Sequence, residues 1–127
     1  MKYILLIAGG AAGTLARYAV SGIAYRYFDG SFPYGTMIIN VTGSFIVGLV
    51  WAFIEQGAVS ASTRTFIVIG ILGGFTTFST YAVETVNMLR VGAIKSGVLN
   101  ILLNNILSLM MVVTGFIIAK GIMNVWK

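Results

Sequence analysis

Long apolar runs separated by short polar stretches dominate the chain. An α-helix crosses the hydrocarbon core of a bilayer with about 20 apolar residues, so windows of that size between charged positions mark candidate spans. Four such windows predict transmembrane helices, from about Tyr3 to Tyr25, Tyr34 to Ile54, Phe66 to Leu89 and Gly97 to Val125. The first is interrupted only by Arg17, and the second carries no charge. Between them, Arg26 to Pro33 reads as a turn, because Asp29-Gly30 and the only proline fall together there. The third and fourth windows are longer than a straight crossing needs, and tilt or a break would absorb the excess. Glu55 to Arg64 and Arg90 to Ser96 are too short to fold as a domain outside the membrane. The expectation is a single all-α transmembrane domain over residues 1–127.

Composition agrees with that class. The chain is 58% hydrophobic and 9% charged, with a mean hydropathy of +0.98, whereas roughly a quarter of the residues of a soluble protein are charged. The net charge of +5 does not point to nucleic acid, because Lys2, Arg17, Arg26, Arg64, Arg90, Lys95, Lys120 and Lys127 are scattered rather than clustered. Most of them flank apolar runs, where cations reach out to lipid headgroups. Cysteine and histidine are both absent, which removes disulfides, thiolate and imidazole metal sites, and the commonest acid/base side chain. Catalysis is not expected.

An even number of spans places Lys2, Arg64, Lys120 and Lys127 on one side and Arg26, Arg90 and Lys95 on the other, once intramembrane Arg17 is set aside. Loop charge then gives almost no orientation. This balance is compatible with insertion both ways and pairing as an antiparallel homodimer, and equally with one weakly biased topology.

Polar residues at membrane depth mark functional hypotheses. The third span carries Gly73-Gly74-Phe75-Thr76-Thr77-Phe78-Ser79-Thr80-Tyr81 near its centre, a composition that favours unwinding buried in protein or lining a wet cavity. Carbonyls freed there would suit a cation. The alternative is close packing at the glycines, with the hydroxyls bonded back to their own helix. Asn100, Asn104 and Ser108 recur at spacing four in the fourth span, and Asn40, Ser44 and Gly48 do so in the second. Each stripe fits either a polar path or helix packing. Gly9, Gly13 and Arg17 form a small-residue seam ending in a cation, and Glu84 is the only acid at depth.

Gly9-Gly10 through Arg17-Tyr18, Gly35 through Asn40 to Ser44, and above all Gly73-Gly74-Phe75-Thr76-Thr77-Phe78-Ser79-Thr80 resemble the Fluc/CrcB family of fluoride channels. The resemblance covers almost the whole chain. It implies four-helix subunits with the third helix broken at the midplane, paired as a dual-topology homodimer with two antiparallel pores. It also implies a structural sodium ion held by the main-chain carbonyls of Gly73 and Thr76. The pore aromatics fall on Phe78 and Tyr81, where the second is usually phenylalanine. Asn40 matches an amide donor towards the pore, Ser79, Thr80 and Ser108 a polar track that Asn104 joins by spacing, Arg17 a vestibule position and Glu84 an acidic position near the pore end. The implied role is passive fluoride export across a bacterial inner membrane. A small four-helix, dual-topology multidrug or proton-coupled exporter is the alternative, for which Glu84 would have to be the titrating group. A purely structural subunit would use the same stripes for packing alone.

Overall fold

The computed structural model describes residues 2–125, so the Lys127 of the loop-charge count lies outside the described residues. Every regular element among them is helical: α1 (Lys2–Tyr27), α2 (Tyr34–Glu55), α3 (Ala61–Arg64), a π-helical stretch (Thr65–Leu72), α4 (Gly73–Phe75), α5 (Phe78–Arg90) and α6 (Ile94–Val125). They make four helices long and apolar enough to cross a membrane: Lys2–Tyr27, Tyr34–Glu55, Ala61–Arg90 and Ile94–Val125. The chain is a multi-pass membrane protein, with the third span bent at its centre.

The helices run past the apolar windows because capping chemistry, rather than hydropathy, sets their ends. Ser60 caps α3 by accepting the Thr63 N–H at 3.1 Å, which starts the third span before its first large apolar residue. Helix α2 closes with Gly57 at φ +72°, donating to the Ile54 carbonyl at 3.0 Å while Ala58 donates to Phe53 at 3.1 Å. Gly92 at φ +80° closes α5 in the same way, with Gly92 donating to Leu89 and Ala93 to Met88. This paired closure needs a left-handed residue, which glycine adopts without steric penalty. In the first loop, Asp29 accepts from the Ser31 N–H and hydroxyl. The hydroxyl bond, more than the N–H bond, holds its carboxyl below the usual carboxylate range.

In lipid, apolar side chains gain nothing by leaving one hydrocarbon for another, so helices associate through close backbone approach and polar contacts. Helix α1 packs on the third span through its glycine seam. A methyl at Gly9 would meet the Phe66 carbonyl at 2.7 Å and the Gly70 Cα at 2.9 Å, and one at Gly13 would overlap the Ile71 carbonyl. The widened π-helical backbone lies against this side-chain-free strip. Helices α2 and α6 meet similarly, with Gly48 against the Val112 backbone and Gly115 against that of Phe45. Large apolar residues such as Ile4, Ile7, Leu15, Ile69, Leu109 and Ile117 consequently face outward.

The third span loses helical geometry at Thr76 (φ −75°, ψ 157°) and Thr77 (φ −150°, ψ 114°), both extended. The glycine pair preceding them stays helical, a departure from the expectation that glycine would itself unwind. Gly74 is instead needed for approach, since a methyl there would meet the Gly10 carbonyl at 2.7 Å.

Candidate functional site

An interrupted helix must find partners for its freed backbone groups. Asn40 on α2 supplies them at Thr77: its Oδ1 accepts the Thr77 N–H at 2.9 Å, and its Nδ2 donates to the Thr77 carbonyl at 3.1 Å. The carboxamide thus replaces a peptide neighbour. Thr77 then restarts the helix, its Oγ1 accepting the Thr80 N–H at 3.3 Å as a cap for α5.

The break also frees carbonyls, those of Gly73 and Thr76 among them. Within a continuous helix, Gly73 would accept from the Thr77 N–H and Thr76 from the Thr80 N–H, but those donors are turned to Asn40 Oδ1 and Thr77 Oγ1. The oxygens of Gly73 and Thr76 flank the break without the bonds that α-helix would give them.

From Asn40 a one-way relay runs through the interior. Its Nδ2 also donates to Asn104 Oδ1 at 3.2 Å, Asn104 Nδ2 to Asn100 Oδ1 at 2.7 Å, Asn100 Nδ2 to Thr85 Oγ1 at 2.9 Å, and Thr85 Oγ1 to the Tyr81 carbonyl at 2.8 Å. Asn100, Asn104 and Thr85 are buried, where an unmet amide is costly and a fully met network is rigid. Both hydrogens of the Asn40 amide are engaged within the chain, one on the Thr77 carbonyl and one on Asn104 Oδ1.

Beside this relay lies an open groove of about 320 Å³, lined by Asn40, Ser44, Thr77, Phe78, Tyr81, Asn104, Asn105 and Ser108 among others. Tyr81 is buried, whereas the Phe78 ring is 75% exposed. The two rings meet edge to face, with centroids 5.3 Å apart and planes at 62°. A second cavity of about 290 Å³ opens under the first loop and takes in Thr36, Thr80 and Glu84. There Thr36 Oγ1 donates to Glu84 Oε1 at 2.8 Å. Glu84 Oε2 is buried and has no hydrogen-bond partner among the described residues.

The expected site residues therefore divide. Asn40, Phe78, Tyr81, Asn104 and Ser108 share the groove, Thr80 and Glu84 belong to the second cavity, and Ser79 and Arg17 line neither. Ser79 is exposed and sits 3.4 Å from Thr77 Oγ1. Sequence reasoning missed Thr36, Thr77, Thr85 and Asn105. Thr36 had a signal, since it extends the Asn40-Ser44-Gly48 stripe one step back at the same spacing.

Comparison with known proteins bears on this arrangement. Residues 4–116 match the family described as CrcB-like protein, Camphor Resistance (CrcB). The chain belongs to the CrcB-like family. A relative from Parabacteroides distasonis is 42% identical over 127 residues, covering 100% of this chain and 99% of its own length. One from Desulforapulum autotrophicum is 37% identical over 94% of this chain and 96% of its own, and one from Shewanella amazonensis is 42% identical over 91% and 94%. All three are named fluoride-specific ion channel FluC. The CrcB-like relatives are thus named as channels rather than as enzymes, and the family resemblance seen in the third-span motif holds across the full chain.

Proposed function

We propose that this protein is a fluoride-selective channel, built from two copies in opposite orientations, that lets fluoride leave the cytoplasm passively across the inner membrane of a bacterial cell. The observation that carries the reading is the polar groove beside the helix break, with the exposed ring of Phe78 edge-on to Tyr81. A ring this exposed at the edge of a polar groove lacks a second wall, and another copy of the chain supplies one. The relatives' names support fluoride as the ion.

Fluoride is small and strongly hydrated, so a pore must replace its water with several weak donors and bind it tightly at none. Ring edges are electropositive, and hydroxyls and amides donate without a full charge. The two pores run past Phe78, Tyr81, Asn104 and Ser108, with Ser79 and Thr80 continuing the polar track. Asn40 shapes the path through Thr77, and Glu84 and Arg17 belong to the pore ends.

The oxygens of Gly73 and Thr76 fit a structural sodium ion. They are neutral and hard, their helical donors are turned elsewhere, and two copies would contribute four of them around one alkali cation. Among the described residues no carboxylate cluster competes for that role. Sodium would brace the dimer without taking part in conduction. Exchanging sodium for N-methylglucamine is expected to lower the thermal midpoint of the purified protein; an unchanged midpoint would remove the ion from the proposal.

Efflux from liposomes tests the function. Purified protein should pass fluoride far faster than chloride, and Phe78→Leu should cripple that flux. Equal fluoride and chloride rates would defeat the reading. The unpartnered oxygen of Glu84 is the one feature that favours a proton-coupled exporter, which requires efflux of an organic cation that Glu84→Gln abolishes.

A further inference from the structure

The groove also holds the Tyr81 hydroxyl, which neither the helix break nor the amide relay uses. Asn105 Nδ2 donates to the Ile101 carbonyl at 2.7 Å and to Tyr81 Oη at 3.0 Å. A carbonyl has no proton to give, so the nitrogen and not Oδ1 must face Ile101, and this fixes the orientation of the amide. Tyr81 Oη is therefore the acceptor of its bond with Asn105. A phenol keeps one proton of its own to donate. Among the described residues no acceptor receives it, although the ring is buried and only 8% exposed. Tyr81 and Asn105 both line the groove, and the neighbouring ring of Phe78 meets Tyr81 edge to face.

We infer that the Tyr81 hydroxyl is a hydrogen-bond donor to the permeating anion, aimed into the groove by Asn105. The inference rests on the fluoride-channel reading and adds a discriminating group to it. A bond from a neutral donor to an ionised acceptor is about twice as strong as one between neutral groups. It grows as the anion becomes smaller and harder, so the hydroxyl favours fluoride over chloride. Asn105 is a positioning residue: it holds the lone pair, lowers the freedom of the O–H rotor and strengthens the outgoing bond by polarisation.

The test uses purified full-length protein in liposomes, with fluoride and chloride efflux measured for wild type, Tyr81→Phe, Asn105→Leu and the double variant. Tyr81→Phe removes one oxygen and keeps the ring. It is expected to lower the fluoride-to-chloride rate ratio about tenfold, the low end for a bond to a charged group. Asn105→Leu should lower the ratio by less, and Tyr81→Phe should cost less in the Asn105→Leu background than alone. Thermal midpoints in fluoride and in chloride provide the second measurement. Loss of the donor should shrink the difference between the two salts, whereas a merely structural hydroxyl would shift both midpoints equally. Normal fluoride flux with an unchanged ratio in Tyr81→Phe overturns this inference and leaves the channel reading standing. Absence of fluoride flux in wild type overturns both.

Discussion

The Asn40 carboxamide is the joint on which the helix break depends, and its removal has a calculable cost. Asn40→Ala leaves the Thr77 N–H, the Thr77 carbonyl and Asn104 Oδ1 without their present partners. A typical net hydrogen bond contributes about 1 kcal/mol, and a buried group left unmet costs about 1–3 kcal/mol. Asn40 is half-buried and borders an open groove that water can enter, so the lower figure applies to each group and the expected loss is about 3 kcal/mol. Asn40→Asp is the sharper probe. It retains the acceptor for the Thr77 N–H but sets a second oxygen against two acceptors, the Thr77 carbonyl and Asn104 Oδ1. It should be no more stable than the alanine variant near neutral pH, despite nearly identical shape. Unfolding in mixed micelles by detergent titration measures the loss, and efflux from liposomes should show ion flux falling with it. A loss below about 1 kcal/mol for alanine, or wild-type stability for aspartate, would refute the claim that this amide holds the break together.

Gly13→Ala should destabilise by about 1–3 kcal/mol through overpacking, because its methyl overlaps the Ile71 carbonyl, while Gly10→Ala meets open space and should be near neutral; unfolding titration of the pair checks the contrast. Thr77→Val removes the cap acceptor for the Thr80 N–H and should cost about 1 kcal/mol, with faster amide exchange at the start of α5. The Lys120 and Glu55 side chains pair at 3.6 Å but are each 47% exposed, so Lys120→Ala should change stability by less than about 1 kcal/mol. A larger loss would mean that the pair is shielded from solvent in the assembled protein.

The four spans were legible because hydropathy alone decides which segments a bilayer accepts. The break was legible to within a few residues, but its cause was not. Glycine suggested unwinding, whereas Gly73 and Gly74 remain helical and Gly74 answers to the backbone of α1. What stops the helix is a distant amide on α2 competing for the Thr77 N–H, together with a threonine that caps its successor. The stripe Asn100-Asn104-Ser108 announced a polar helix face, but not that its first two members would be spent on each other and on Thr85. Asn105 lies one step off that stripe, on a face that periodicity assigns to the outside, so only the position of Tyr81 reveals its use. The π-helical stretch has no local signal either, since Thr65 to Leu72 contains nothing but ordinary apolar residues, one glycine and one threonine.

Two extended residues divide the third span into arms whose peptide dipoles meet head to tail across a short gap. Each arm ends in partial charge: electronegative where the leading arm presents its last oxygens, electropositive where α5 begins. Thr76 and Thr77 thus place opposite poles a few residues apart at the middle of a low-dielectric slab, without a single ionised side chain. One interruption in one helix in this way creates a local field of both signs where the surroundings screen it least.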